Sequence, residues 1–451
     1  MTVMGAGASG VAAADLLERR GARVTLSEAR PEAPAAEPLR ARGVALELGG
    51  HVPETFTLAD LIVLSPGVPP GHPLVGAARR RGVPVIGEIE LAYRWLRGRV
   101  IAITGTKGKS TTTALTGRML GAAGFHVLVG GNIGTPLSAQ VAESTPATLH
   151  VVEASSFQLE QTDTFRPWMA VMLNFSPDHL DRHLDVGEYG AAKARIFANQ
   201  DERDWAIVNA DDPGVLQLAR RARARRRLFS RAGGIDEGTV IENGWIVSRG
   251  NGATVPLVPI EAIHLLGPHL VIDVMAAATV GALAGAAPSA MTAAVDAFPG
   301  LEHALELVAE IDGVRFVNDS KATNVEAARR AIESFDRGLA VIVGGRYKGG
   351  DFRALREPLR ARANAVVAIG EARDRVRAAL EGAVAVREAS TLDEAIALAH
   401  ALAKPAGVVL LAPACSSFDM FASYAERGRA FKAAVARLKA RVPGGSASGG
   451  S

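Results

Sequence analysis

The stretch RVIAITGTKGKSTTT, residues 99–113, constrains the fold of this chain more than any other. An apolar, β-branched run leads into a glycine-containing loop, and the loop leads into a helical pattern with Leu115, Met119 and Ala123 on one face. Strand, loop and helix in that order make the phosphate-binding unit of a parallel sheet, because a parallel strand needs a long crossover, usually a helix. Gly108, Lys109 and Ser110 fit the end of the G-x-x-x-x-G-K-[ST] pattern, but Ile103 stands where the first glycine belongs. In such a loop backbone N–H groups cradle phosphates, Lys109 reaches the β/γ-phosphates and the Ser110 hydroxyl ligates Mg2+. Gly105 is expected to supply part of the missing curl, and ATP contacts are assigned to Gly105, Thr106, Lys107, Gly108, Lys109, Ser110 and Thr111.

The same rhythm recurs along 451 residues, too many for one core. Residues 1–92 hold three strand-like runs separated by helical stretches, and 93–299 hold five more. Within the second block, 238–260 alternate with N-G and G-N-G turns and predict an antiparallel flap. SPDHLDR onward through YGAAKARIFANQ reads as helical. Residues 300–443 repeat the parallel pattern at LAVIVGG, NAVVAIG and GVVLLAPA. The reading is three α/β domains, each with a mainly parallel sheet, and a flexible GGSASGGS tail at 444–451.

Bulk properties exclude several classes. No apolar stretch is long enough to span a membrane, and MTVMGAGASG lacks the basic and apolar regions of a signal peptide, so a cytoplasmic enzyme is expected. Cys415 is the only cysteine, so no intrachain disulfide can form. The basic run RRARARRRLFSR, 220–231, lacks aromatic platforms and reads as a solvated helix end more than a nucleic-acid patch.

Other residues carry chemistry. Gly5, Gly7 and Gly10 form G-x-G-x-x-G after a strand, with Glu28 closing the next strand. That pattern fits a dinucleotide, another diphosphate, or a tight turn needing glycine only for packing. Glu153 ends the apolar run LHVVEASS, where a carboxylate is costly unless it binds something such as a metal. NFSPDHLDRH concentrates Asp178, His179, Asp181 and His183; one or two could ligate a metal, and spacing alone does not choose among them.

Taken in order, GTKGKST, EASSFQLE, NFSPDHLDRH, YGAAKARIF, NDSKATN and APACSSFDMFASYAERG closely resemble the Mur ligases, in the branch that adds D-glutamate. The resemblance spans nearly the whole chain before the tail. It implies that the first domain binds UDP-N-acetylmuramoyl-L-alanine, the second ATP and the third D-glutamate, in a monomer with no nucleic-acid partner. On the UDP-substrate side it points to Ser9, Glu28, Ser65, Pro66, Gly67, Asn132, Ser155 and Gln158. It implies Mg2+ at two sites, one on Ser110 and Glu153, the other on His179 and Lys193, the lysine being carbamylated. Lys109, His179 and Lys193 are the implied catalytic residues. Asp273 and Asp319 match nucleotide contacts, and Lys321, Thr323, Lys348, Ser417 and Tyr424 match positions around D-glutamate. Two departures stand out: His303-Ala304 replaces a His-Arg pair whose arginine meets an ATP phosphate, and Gly267-Pro268-His269-Leu270-Val271-Ile272-Asp273 lacks both asparagines of G-x-H-N-x-x-N. Weaker ATP binding is the expectation. The rival readings are a folylpolyglutamate-synthase-like ligase, an NAD-dependent oxidoreductase using the first glycine loop, and a non-catalytic nucleotide-binding relative.

Overall fold

The structure is a computed structural model that describes residues 1–179, 182–264 and 269–441. Asp181, Gly267, Pro268 and the tail 444–451 lie outside the described residues. Two compact units form, one of Met1–His264 with His269–Phe298, the other beginning at Pro299.

The first unit holds two sheets. Strands β1 (Thr2–Met4), β2 (Thr25–Glu28), β3 (Ala45–Leu48), β4 (Ile62–Leu64) and β5 (Val85–Gly87) pair in the order β3-β2-β1-β4-β5, all parallel. The order reverses around β1, so a crevice opens at its C-terminal end, where Gly5 to Gly10 follow. Gly10 has no alternative: a Cβ there would stand 1.8 Å from the Gly5 carbonyl oxygen.

The second sheet contains β6 (Arg99–Thr104), β7 (Val127–Gly131), β8 (Leu149–Glu153), β9 (Met169–Met172), β10 (Trp205–Asn209), β11 (Arg225–Phe229), β12 (Gly238–Glu242), β13 (Trp245–Gly250) and β14 (Ala253–Pro259). Their order is β14-β13-β12-β11-β10-β9-β6-β8-β7, parallel from β7 to β12. Residues 238–259 are antiparallel as expected, and they join the main sheet through Phe229 and Thr239. The basic run is corrected in part. Arg220 and Arg221 do close a helical turn, Ala219–Arg221, but Arg225–Phe229 is a strand, with Arg225 stacked over Trp205 and Arg227 bonded to the Ser248 hydroxyl. The helix expected from Ser176 onward begins only at Val186, because Asp185 caps it by accepting from the Glu188 N–H.

The second unit carries β15 (Glu306–Ile311), β16 (Val314–Asn318), β17 (Leu339–Gly344), β18 (Ala363–Ile369), β19 (Ala385–Glu388) and β20 (Val408–Leu411), in the order β15-β16-β20-β17-β18-β19. Only β15 and β16 run antiparallel. All three sheets are thus mainly parallel, as the strand–helix rhythm predicts.

The helix Glu88–Tyr93 ties the two sheets of the first unit together with two acids of opposite fate. Burial would raise the pKa of Glu90, but its carboxylate accepts from the backbone N–H of Asp163, Thr164 and Phe165, from the Thr164 hydroxyl and from Arg94. Those donors win and hold it below its ordinary value. Glu88 is equally buried but accepts only one backbone N–H, from Ser138 at 2.6 Å, and its other oxygen has no partner. Burial pushes it up to about 7. The folded chain therefore holds this proton more tightly than the unfolded chain. The contribution to stability is complete below the ordinary value of 4.5 and is lost as pH rises through about 7. Glu88→Gln should flatten the stability–pH curve over that window and exceed the parent chain by about 3 kcal/mol above it. Urea midpoints at pH 5 and pH 8 test this; equal pH slopes in both chains would refute it.

Candidate phosphate and nucleotide site

Ile103 belongs to the sheet, not the loop. It is fully buried in β6, opposite Glu153 of β8 and Val171 of β9. The loop begins at Gly105, whose φ of 158° is close to extended; a Cβ there would meet the Leu173 Cβ at 3.0 Å. The left-handed turn falls instead on Gly108, φ 80°, at the N-terminus of the helix Lys109–Ala122. The curl expected of Gly105 is thus made mostly by Gly108, and Gly105 serves close approach. The Lys109 ammonium donates to the carbonyls of Gly105 at 2.9 Å and Thr106 at 3.0 Å. Lys107 pairs with Asp178 at 3.4 Å, and the Thr106 hydroxyl bonds the Ser176 backbone.

Glu153 is buried at the end of β8. One oxygen accepts from the Asn132 amide at 2.7 Å and the other has no partner. Lys193 is buried too, and its Nζ donates to the Gly105 carbonyl at 2.8 Å. Burial first, then the nearby Lys109 charge, push its pKa down to about 6. His179 is exposed, has a left-handed φ of 55°, and packs edge-on to Phe157 with centroids 4.9 Å apart. His183 is a different case: it is buried with Nε2 3.1 Å from the Ser156 hydroxyl, a satisfied core histidine.

Ser9, Glu28, Ser65, Pro66, Gly67, Asn132 and Gln158 line one cavity of about 470 Å³ in the first unit. Ser155 does not line it. Its hydroxyl accepts from the Gln158 N–H, while the Gln158 side chain accepts from the Ser155 N–H, so the two close a capping box. Glu28 accepts from the Ala6 N–H at 2.7 Å and from Arg30 in a forked pair. The Arg30 bonds, first among several, lower it to about 2, so it stays anionic. Arg30 lines the same cavity, and sequence reasoning missed it.

In the second unit Asp319 is buried with one backbone donor, Leu305 N–H at 3.2 Å, and burial pushes it up to about 7. Lys321 and Thr323 lie on the turn after β16, where the Thr323 N–H meets the Lys321 carbonyl. Lys348 stands over the Phe418 ring at 5.1 Å, Ser417 is buried, and Tyr424 is exposed. Arg427, also missed, fastens this loop cluster. Its fully buried guanidinium donates to the Ser320 hydroxyl and carbonyl and to the Cys415 carbonyl, and Ser320 in turn bonds the Tyr424 carbonyl. A sequence signal existed: Arg427, Phe431 and Val435 share one helical stripe, so an arginine sits where the helix buries apolar groups.

Comparison with known proteins follows this geometry. Residues 1–87 match the family described as Mur ligase MurD-like, N-terminal domain, 103–281 the Mur ligase middle domain, and 305–415 the Mur ligase, glutamate ligase domain. The solved UDP-N-acetylmuramate-alanine ligase MurC of Thermotoga maritima shares the fold, with a TM-score of 0.60 at 17% identity, covering 98% of this chain and 99% of that one. The UDP-N-acetylmuramoylalanine–D-glutamate ligase of Acidobacterium capsulatum is 49% identical over 95% of this chain and 94% of its own length. That of Koribacter versatilis is 45% identical over 97% of both. The chain belongs to the Mur ligase family, and within it to the UDP-N-acetylmuramoylalanine–D-glutamate ligases.

Asp273, expected near the nucleotide, lies buried against the phosphate loop: a Cβ on Gly108 would come within 2.2 Å of its Oδ1. Gly108→Ala should therefore cost about 1–3 kcal/mol by overpacking, and Asp273→Ala in the same chain should recover all but the left-handed backbone cost of about 1–2 kcal/mol. A double-mutant cycle of denaturation midpoints checks this; additive losses would count against the contact.

Proposed function

We propose that this chain joins D-glutamate to UDP-N-acetylmuramoyl-L-alanine in an ATP-dependent amide ligation, a cytoplasmic step of peptidoglycan precursor synthesis. The observation that carries the mechanism is the 2.7 Å bond from Asn132 to Glu153, which joins the cavity wall to the acid beside the phosphate loop. Among the described residues no helix is long and apolar enough to cross a membrane. The functional domains are taken as 1–92, 93–299 and 300–443, acting in a monomer.

The residues fit Mg2+. The partnerless oxygen of buried Glu153 and the Ser110 hydroxyl are hard oxygen donors, and with phosphate oxygens they form the kind of set Mg2+ accepts. No group of three His, Cys, Asp or Glu side chains poised for a metal occurs among the described residues, and a site completed by phosphates does not require one. Glu153 and Ser110 would hold one ion, His179 and carbamylated Lys193 a second. When bound, Mg2+ offsets the phosphate charge and polarises the transferred phosphoryl group. Carbamylation suits Lys193, since a buried amine beside Lys109 favours its neutral form; its nitrogen bonds the carbon of CO2 and releases a proton.

The L-alanine carboxylate of the substrate attacks the γ-phosphorus, giving an acyl phosphate and ADP. The D-glutamate amine then attacks the acyl carbon, loses a proton and expels phosphate. Lys109, released from its own loop carbonyls, offsets the charge of the two anions brought together. The cavity residues, Arg30 among them, hold the uridine diphosphate and muramoyl parts. Asp273 and Asp319 serve the nucleotide. Lys321, Lys348, Thr323, Ser417 and Tyr424 receive the two carboxylates and the amine of D-glutamate, and His179 helps take the amine proton.

Phosphate release from ATP with UDP-N-acetylmuramoyl-L-alanine should require D-glutamate, and L-glutamate, L-lysine or no amino acid should give none; release with L-glutamate instead would favour a different ligase of the superfamily. Lys109→Ala should abolish ADP release while the UDP-substrate still binds, and normal turnover would sink the loop assignment. Ala304→Arg should lower the KM for ATP by about tenfold or more, through one charge-assisted hydrogen bond; an unchanged KM would mean that another group serves that phosphate.

A further inference from the structure

A phosphate loop without its first glycine needs another device to hold its curve. The neighbouring strand supplies one. β9 pairs with β6 in register, Met172 opposite Thr104, so the chain leaving β9 runs beside the chain leaving β6. Two residues beyond Met172, Asn174 faces the loop. Its side-chain oxygen accepts from the Lys107 N–H at 2.8 Å and from the Thr106 N–H at 3.1 Å. Its side-chain nitrogen donates to the Lys107 carbonyl at 3.0 Å. The Thr106 N–H also reaches the backbone carbonyl of Asn174 at 3.1 Å. A primary amide offers an acceptor and donors in one plane, so it grips both polar groups of Lys107 as a neighbouring strand would. A carboxylate cannot donate, and a hydroxyl is too short to span both.

We infer that Asn174 is a positioning residue for ATP: its amide fixes the backbone of Lys107, shapes the loop in place of the missing glycine, and presents the turn at Gly108 and the helix behind it to the phosphates. This reading rests on the ATP-dependent function proposed above. It separates the loop into a frame, Thr106 and Lys107, and a phosphate-facing part from Gly108 onward. The frame also explains how Lys107 can pair with Asp178: with its backbone held, its side chain reaches that carboxylate, four residues beyond Asn174 in the same segment.

Asn174→Ala removes the side-chain bonds at Lys107 and Thr106 and leaves the backbone bond at Thr106. Hydrogen exchange of the nucleotide-free chain should show faster exchange at the Lys107 amide and a smaller change at Thr106. The KM for ATP should rise about tenfold or more, while those for the UDP-substrate and D-glutamate stay within about twofold. Asn174→Asp keeps the acceptor, so Lys107 should stay protected. It loses the donor and adds a charge, so its KM for ATP should rise more at low salt than at high salt. An unchanged ATP KM in the alanine variant, unchanged Lys107 exchange, or a parallel rise in all three KM values with a lower Tm would each overturn the inference. Should the alanine variant not fold, loss of Lys107 protection in the aspartate variant would overturn it instead. A parent chain that releases no phosphate would refute the ligase reading alone, since the exchange result needs no nucleotide.

Discussion

The carbonyl oxygen of Gly105 takes two hydrogen bonds from amines, Lys109 at 2.9 Å and Lys193 at 2.8 Å. Much of the site's electrostatics follows from that sharing. Two ammonium groups so close repel, and the deeper one, Lys193, gives up its proton most readily because burial already penalises its charge. Lys193 is thereby biased toward its neutral amine, the form that the carbamylation proposed above requires.

The sheet topology makes such convergence inexpensive. In the second sheet three adjacent parallel strands end at one level, and the groups just past their ends are Gly105 after β6, Glu153 closing β8, and Asn174 after β9. The first sheet repeats the arrangement with Gly5 after β1, Glu28 closing β2 and Ser65 after β4, and here the Ser65 hydroxyl donates to the Gly5 carbonyl. In both, short backbone segments from neighbouring strands meet before any side chain needs to reach far. That is why glycine is required at Gly10, where the Gly5 carbonyl leaves no room for a Cβ; at Gly108 the obstacle is the Asp273 carboxyl on the helix His269–Ala284.

The parallel strand–helix rhythm, the loop and the terminal acids were legible because each is written locally: an apolar run, a turn residue, a charged residue at the strand end; the short strands Ala45–Leu48 and Val85–Gly87 were not. The cavity set was legible through the family resemblance, and seven of its eight members do converge. What stayed hidden depends on register between distant segments. Asn174 stands in the quoted segment NFSPDHLDRH beside more conspicuous acids and histidines, but its amide matters only because β9 lies next to β6. Arg30 looks like a surface residue until its fork closes on Glu28. The arginine run at 225–227 deceived for the opposite reason: composition suggested a solvated helix end, while pairing with β10 and β12 decided for a strand.

For five buried acids the direction of the pKa shift follows the number of donors, not burial alone. Glu90 and Glu28 are buried acids met by several donors, and both stay anionic. Glu88, Asp319 and Asp273 are buried acids with one donor or a partnerless oxygen, and each is pushed upward. The distinction bears on Asp273, which stands where the family resemblance implies an asparagine. Held against Gly108 with a partnerless oxygen, a carboxyl there has its pKa pushed upward by burial. A charged acid at that depth would repel the phosphates that Lys109 attracts. Burial therefore eases this one substitution on electrostatic grounds, while Leu270, in place of the other asparagine, and Ala304, in place of an arginine, remain as departures from the resembled pattern.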